Sequence, residues 1–346
     1  MGLGERYLPQ PRMMNMELTT ACPLRCPQCY VSLEKVREMP LQVAQRYLRD
    51  GAASGIKYVN LAGGETLAYP HLYELVRECR RLGLESAVAI SGAYADRERL
   101  GRLIEAGVDE IYVSLNGSTE EVNRRTREGY QEAVRALSLL GELGFANTWL
   151  NFVMHSVNAE DLPQMAALGE SFGVRGIAIL AFKPNAAHEL PSYPTAAQLR
   201  RAACFIKDYR GSLILAPEPC FSPLRALVGE RFFGNGNVGM ERGCTAGRDM
   251  IAVTAEGRLA PCRHIDMAED FPDIKSYWRD SSLLRSLRQV EERREPPCRG
   301  CTYEKNCLPC MGTGLKLSGK LPCGWQECPL AGEAATGAMD EAGTNE

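Results

Sequence analysis

Apolar and polar positions follow two alternating periods between residues 13 and 182. Six short apolar runs predict β-strands, and from the second run onward each follows about a dozen residues with helical periodicity. The predicted strands are residues 13–18, 58–62, 86–91, 110–115, 148–154 and 176–182. Because strand and helix alternate strictly, we expect right-handed crossovers and a parallel sheet, either a partial α/β barrel or a doubly wound sheet.

Three cysteines follow the first predicted strand with the spacing C-x3-C-x2-C: Cys22, Cys26 and Cys29. Three thiolates in one loop can hold three irons of a cubane cluster and leave the fourth iron open for another ligand. A zinc knuckle is the alternative, but it needs a fourth Cys or His nearby. None lies between Cys29 and His71 in the sequence.

This cysteine loop resembles the signature of the radical SAM superfamily, and the chain resembles that superfamily to about residue 215. The resemblance implies an open, TIM-like (β/α)6 barrel. It also implies that S-adenosylmethionine (SAM) binds the free iron of a [4Fe-4S] cluster held by Cys22, Cys26 and Cys29. An injected electron would then cleave SAM to a 5′-deoxyadenosyl radical, so these three cysteines are the predicted catalytic residues.

Further candidates for cofactor binding follow the predicted strands. Gly63, Gly64 and Glu65 end the second strand and resemble the superfamily motif whose carbonyls and Glu bind the methionine ammonium. Polar residues also lie at the ends of the next three strands: Ser91, Ser114, Asn116 and Asn151. Their hydroxyl and amide groups suit a ribose diol or a carboxylate, although Ser and Asn are also common in ordinary turns.

Arg127 resembles the arginine that pairs with the SAM carboxylate in relatives, while its neighbours Arg124 and Arg125 are alternative candidates. Two positions depart from the superfamily pattern. The residue before the third cysteine is commonly aromatic, and here it is Gln28; the fourth strand often ends in Asp-Gly, and here it ends in Asn116-Gly117. Neither change removes an iron ligand.

A second group of cysteines resembles the SPASM extension, which houses two auxiliary iron-sulfur clusters. Its members are Cys244, Cys262, Cys298, Cys301, Cys307, Cys310, Cys323 and Cys328. The resemblance assigns Cys244, Cys262 and Cys310 to one cluster, which Cys220 could complete. It assigns Cys298, Cys301, Cys307 and either Cys323 or Cys328 to the other. Two residues separate Cys307 from Cys310, whereas the SPASM pattern usually has three at this interval. The alternative interpretation of these eight cysteines is a double zinc ribbon.

The remaining cysteines, Cys79 and Cys204, lie in helical patterns, and we expect both to be buried apolar residues. The chain has 14 cysteines but shows neither a signal peptide nor an apolar run of membrane-spanning length. This combination favours reduced thiols and a cytoplasmic location.

The chain has 346 residues with a net charge of −3, and nothing in this charge favours binding to nucleic acid or an anionic membrane. We predict an α/β fold with a small cysteine-rich C-terminal domain. The predicted units are the barrel at 1–215, the auxiliary cluster domain at 216–330 and a disordered tail at 331–346.

These features favour an enzyme that oxidatively modifies a ribosomally made peptide, most readily by a thioether or carbon–carbon crosslink. A formylglycine-generating sulfatase maturase or a small-molecule dehydrogenase is the enzymatic alternative, and a zinc-stabilised or redox-sensing binding protein is the non-enzymatic one. The expected partners are a peptide substrate and a flavodoxin- or ferredoxin-type electron donor. Because the barrel begins close to Met1, we expect any leader binding to come from a separate protein or from the edges of the sheet.

Overall fold

The structure is a computed structural model that describes residues 7–31, 35–229, 243–321 and 325–331. Its strands are β1 Met13–Thr19, β2 Tyr58–Gly63, β3 Glu85–Ile90, β4 Glu110–Ser114, β5 Thr148–Met154, β6 Gly176–Ala181, β7 Ile214–Pro217, β8 Met250–Val253 and β9 Leu259–Ala260. Its α-helices are α1 Leu41–Ala53, α2 Leu72–Arg81, α3 Arg97–Ala106, α4 Glu120–Arg124, α5 Tyr130–Glu142, α6 Leu162–Ser171, α7 Ala196–Asp208, α8 Ser222–Val228, α9 Ile274–Asp280, α10 Ser282–Arg288 and α11 Met311–Ser318. The predicted tail at 331–346 lies outside the described residues, apart from Ala331.

All the strands belong to one sheet with the order β7-β6-β5-β4-β3-β2-β1-β8-β9. Neighbouring strands are parallel from β7 through to β8, and β9 alone runs antiparallel. The six predicted strands are confirmed, and their ends agree within one residue. This is the expected α/β partial barrel with a cysteine-rich C-terminal region.

The sheet extends beyond the six predicted strands at both edges. β7 adds to the outer side of β6, and β8 from the cysteine-rich region pairs with β1 in parallel, with Met13 opposite Met250. The expected boundary between residues 215 and 216 lies within β7. The barrel and the cysteine-rich region therefore share a continuous hydrogen-bonded sheet.

Several helices, α2 among them, pack against the sheet with one apolar side. In α2 the buried residues Leu72, Leu75, Val76 and Cys79 have the spacing of a single helical face, so the expected burial of Cys79 is confirmed. The same expectation for Cys204 is wrong. Cys204 is exposed, because α7 turns other residues, such as Ala203 and Ile206, toward the core.

The strands alternate between this core and an interior cavity. In β1, Met14, Met16 and Leu18 are fully buried, whereas Met13 and Asn15, on the opposite face of the strand, line the cavity. This alternation follows from the two-residue period of a strand. It places polar side chains on the concave face of the sheet.

None of the helices in the described part of the chain is long and apolar enough to cross a membrane.

Candidate functional site

A cavity of about 680 Å³ lies on the concave face of the sheet. Cys22, Cys26 and Cys29 all line it. Their loop follows β1, at the carboxyl edge of the parallel sheet, which is where ligands bind in folds of this class. The predicted cysteine loop therefore opens onto this cavity.

The Gly-Gly-Glu segment holds the start of this loop through backbone contacts. The amide of Gly64 donates to the carbonyl of Thr19, and the amide of Glu65 donates to the carbonyl of Ala21, each across 2.7 Å. A Cβ atom on Gly64 would lie 2.4 Å from the Ala21 carbonyl oxygen, so only glycine fits. The end of β2 therefore approaches the cysteine loop closely at this glycine.

Six of the eight predicted cofactor-binding residues line the cavity together: Gly63, Gly64, Ser91, Ser114, Arg127 and Asn151. Strand ends that are distant in sequence thus converge on one space. The other two, Glu65 and Asn116, are fully buried beside it.

The carboxylate of Glu65 is engaged within the protein. It accepts hydrogen bonds from the amide of Leu67 across 3.0 Å, and from the amide of Ser91 across 2.8 Å and the Ser91 hydroxyl. Glu65 therefore ties the end of β2 to the end of β3.

Asn116 joins the cysteine loop to the ends of two strands. Its Nδ2 donates to Oε1 of Gln28 across 2.8 Å and to the hydroxyl of Thr126 across 3.0 Å, and its Oδ1 accepts from the amide of Val153 across 3.0 Å. The ring of His155 also contacts Gln28 Oε1. Burial lowers the pKa of His155 to about 4, so the imidazole is neutral near pH 7.

A second set of thiols lies against the same cavity. Cys220, Cys244, Cys262 and Cys310 form this set, and Cys220 and Cys262 line the cavity directly. The Cys220 thiol is hydrogen-bonded to the sulfur atoms of Cys244 and Cys310. This contact lowers the pKa of Cys310 to about 6, whereas burial raises that of Cys262 to about 12.

A third set surrounds a smaller cavity of about 30 Å³ and consists of Cys298, Cys301, Cys307 and Cys328. Burial raises the pKa of Cys307 to about 11 and that of Cys328 to about 12. Cys328 is thus placed beside the other three thiols. The alternative residue, Cys323, lies outside the described residues.

Residues 16–169 match the family model of the Radical SAM superfamily. This part of the chain is a radical SAM domain. The whole chain is 29% identical over 338 residues to PqqA peptide cyclase of Gluconobacter oxydans. This alignment covers 90% of this chain and 89% of that relative.

Three solved structures share the fold across 94% of this chain. Streptococcus suis SuiB bound to S-adenosylmethionine has a TM-score of 0.76 and 18% sequence identity, and the match covers 78% of its chain. SuiB bound to precursor peptide SuiA has a TM-score of 0.76 and 17% sequence identity, and the match covers 77% of its chain. Native anSMEcpe with bound AdoMet and Cp18Cys peptide has a TM-score of 0.71 and 15% sequence identity, and the match covers 96% of its chain. The similarity extends through the cysteine-rich region.

A radical SAM domain implies a [4Fe-4S] cluster and SAM. The thiols fit an iron-sulfur group, because Cys22, Cys26 and Cys29 line one cavity from one loop, and three such thiolates can hold three irons. Partial burial raises the pKa of Cys22 and Cys29 and makes the free thiolate costly. Coordination to iron removes that cost, because the metal stabilises the thiolate.

All the described cysteines are free thiols. Within the described ranges, no three Cys, His, Asp or Glu side chains converge as they would around a single metal ion. The individual ligand sets therefore stay predictions.

Several charged residues of the cavity, unlike Arg127, were not predicted from the sequence. Lys183 follows β6 and donates to the carboxylate of Glu218, which follows β7; their side chains are 10% and 19% exposed. Burial lowers the Lys183 pKa, but the Glu218 carboxylate and the nearby Cys220 and Cys310 sulfur atoms together hold it above its usual value. The signal that could have found both residues is their position just after strand ends.

A further cation lies between the cysteine loop and the second thiol set. Arg263 lines the cavity, and its guanidinium lies 5.8 Å from the ring centroid of Tyr30. The Tyr30 ring also contacts His264, with centroids 4.3 Å apart. Tyr30 follows Cys29 directly and Arg263 follows Cys262, so these rings connect the two groups of cysteines.

Proposed function

We propose that this radical SAM enzyme oxidatively modifies a ribosomally made peptide, with a thioether or carbon–carbon crosslink as the favoured product. The observation that carries the proposal is the shared cavity. Cys22, Cys26 and Cys29 line one part of it, and Cys220 and Cys262 line another. A substrate in this space would lie between the site of SAM cleavage and a second iron-sulfur site.

When bound, the cluster and SAM supply a 5′-deoxyadenosyl radical that abstracts a hydrogen atom. Closing a crosslink removes a second hydrogen from the peptide as a proton and an electron, so that electron needs an acceptor. We assign this role to auxiliary [4Fe-4S] clusters. Cys220, Cys244, Cys262 and Cys310 would hold the first, and Cys298, Cys301, Cys307 and Cys328 would hold the second.

The cavity is suited to a ligand that carries carboxylates. Its lining includes four cationic residues, Arg127, Lys183, Arg225 and Arg263, whereas Glu218 is the acidic residue among the described lining residues. Lys183 is already paired with Glu218. The excess positive charge favours the carboxylate of SAM and acidic groups of a peptide.

The names and titles of similar proteins support a peptide substrate. The relative from Gluconobacter oxydans is a PqqA peptide cyclase, and SuiB has been solved with the precursor peptide SuiA. We extend this substrate class to the present chain. A flavodoxin or ferredoxin would supply the electron for SAM cleavage, and a separate protein could bind a leader sequence.

Mass spectrometry of a co-expressed candidate peptide tests the proposal. We expect the loss of two hydrogen atoms per event and a fragmentation gap across the linked residues. A matched co-expression with Cys22, Cys26 and Cys29 all changed to Ala should leave the peptide unmodified. A Cys or Ser converted to an aldehyde without a crosslink would support the formylglycine alternative instead. Unmodified peptide with the loaded wild-type enzyme would contradict the proposal for that peptide.

A further inference from the structure

The side-chain amide of Gln28 is held in one orientation by a chain of hydrogen bonds. The backbone amide of Val153 can only donate, so it fixes Oδ1 of Asn116 as the acceptor. Nδ2 of Asn116 must then donate, and it faces the oxygen of Gln28 across 2.8 Å. The orientation of the Gln28 amide therefore follows from a backbone group in β5.

The same oxygen sets the tautomer of His155. Its Nε2 faces Oε1 of Gln28, which can only accept, so Nε2 carries the proton. His155 is itself fixed, because its backbone amide donates to Asn158 Oδ1 across 2.6 Å and its ring lies 4.2 Å from that of Phe182. Asn116, His155 and Asn158 are each less than 5% exposed, so water competes little with these contacts.

Asn116 and His155 both contact the side-chain oxygen of Gln28, so the two N–H groups of its Nε2 are available as hydrogen-bond donors. No acceptor for Nε2 occurs among the described residues, yet Gln28 lines the same cavity as Cys26 and Cys29. The nitrogen and oxygen of a planar amide point in different directions. The donor end of Gln28 is therefore turned away from the strand ends, beside the cysteine loop.

We infer that Gln28 donates a hydrogen bond from Nε2 to a sulfur atom of the iron-sulfur group held by Cys22, Cys26 and Cys29. Asn116 and His155 are the positioning residues that aim this donor. Hydrogen bonds to cluster sulfur raise the reduction potential, because they stabilise the more negative reduced state. Gln28 thus makes the cluster easier to reduce.

Pulsed electron–nuclear spectroscopy of the reduced cluster in the full-length, anaerobically reconstituted protein in D2O tests this inference. Changing Gln28 to Met removes the donor at similar length and should abolish one exchangeable-deuteron coupling. It should also shift the midpoint potential to a more negative value. The matched control is Gln131→Met, an exposed glutamine on α5, which should leave both unchanged.

A second variant guards against a simple folding defect. In Gln28→Glu the carboxylate can still accept from Asn116 and His155, so the loop stays anchored, but the donor is lost. The same deuteron coupling should disappear. In His155→Phe one of the two anchors of the Gln28 oxygen is lost, and the coupling should weaken.

An unchanged coupling and potential in both Gln28 variants would overturn the inference while leaving the proposed function intact. A coupling that appears only after SAM is added would also overturn it, because the donor would then serve SAM. The inference rests on the cluster assigned to this loop. If the wild-type chain takes up no cluster at Cys22, Cys26 and Cys29, both the inference and the proposed function fail.

Discussion

The amide of Asn116 donates a hydrogen bond to the amide oxygen of Gln28 across 2.8 Å. These residues are 88 positions apart, and each departs from the superfamily pattern at its own position. The structure shows that the two departures meet. Gln28 belongs to the cysteine loop and Asn116 follows β4, so this bond ties the loop to the carboxyl edge of the sheet.

Loss of one thiol from either C-terminal set should remove one cluster. Wild-type protein should contain about twelve irons per chain, from three four-iron clusters. Cys220→Ala and Cys328→Ala should each lower this value toward about eight, because each removes one of four proposed ligands. Iron and sulfide analysis of anaerobically purified protein measures the effect.

The chain offers a matched control for these variants. Cys204 is exposed on α7, outside the three thiol sets, and its replacement by Ala should leave the iron content unchanged. Full iron content in Cys328→Ala would show that Cys328 is not a ligand, and Cys323 would then be the candidate.

Replacing Lys183 by Met should destabilise the fold. The change leaves the carboxylate of Glu218 largely buried without its cation, which costs about 3 kcal/mol in comparable pairs. Anaerobic urea unfolding measures the loss. Arg97→Met breaks an exposed pair with Glu142, whose side chains are 58% and 55% exposed, and should cost less than about 0.5 kcal/mol. Equal losses in the two variants would contradict the buried role of Lys183.

His155 should make the folded state less stable as the pH falls. Its pKa is about 4 in the folded protein, below the ordinary value of 6.5, so the unfolded chain binds the proton first. The stability that depends on neutral His155 is complete above pH 6.5 and is lost as the pH falls toward 4. At pH 5 the loss relative to pH 7 should be about 2 kcal/mol.

Urea unfolding of wild type and His155→Gln at pH 7 and pH 5 isolates this effect. The variant should lack the part of the pH dependence that comes from His155. His188→Gln serves as the control, because that side chain is 82% exposed. The same pH dependence in wild type and His155→Gln would contradict the lowered pKa.

Strand and helix periodicity predicted the first six strands because each has a regular apolar pattern and, from β2 onward, a helix before it. β8 and β9 were not predicted as parts of the same sheet. They are only four and two residues long, and β8 pairs with β1 from more than two hundred positions away. Such pairing depends on tertiary packing, which local periodicity does not record.

The candidate site was predicted where residue type alone limits the chemistry. Three closely spaced cysteines and two adjacent glycines have few alternative roles, and they line the cavity as expected. Asn116 and Glu65 were predicted as ligand-binding residues, but each side chain has partners within the protein that lie far away in sequence. The sequence could not show those partners, nor the pairing of Lys183 with Glu218.

The most direct test of the central claim is reductive cleavage of SAM by the anaerobically reconstituted protein. With dithionite as the reductant, wild type should form 5′-deoxyadenosine, and the variant with Cys22, Cys26 and Cys29 all replaced by Ala should form none while retaining its other iron. Formation of 5′-deoxyadenosine by that variant would contradict the assignment of the catalytic cluster to this loop, and its absence from fully loaded wild type would contradict radical SAM chemistry in this chain.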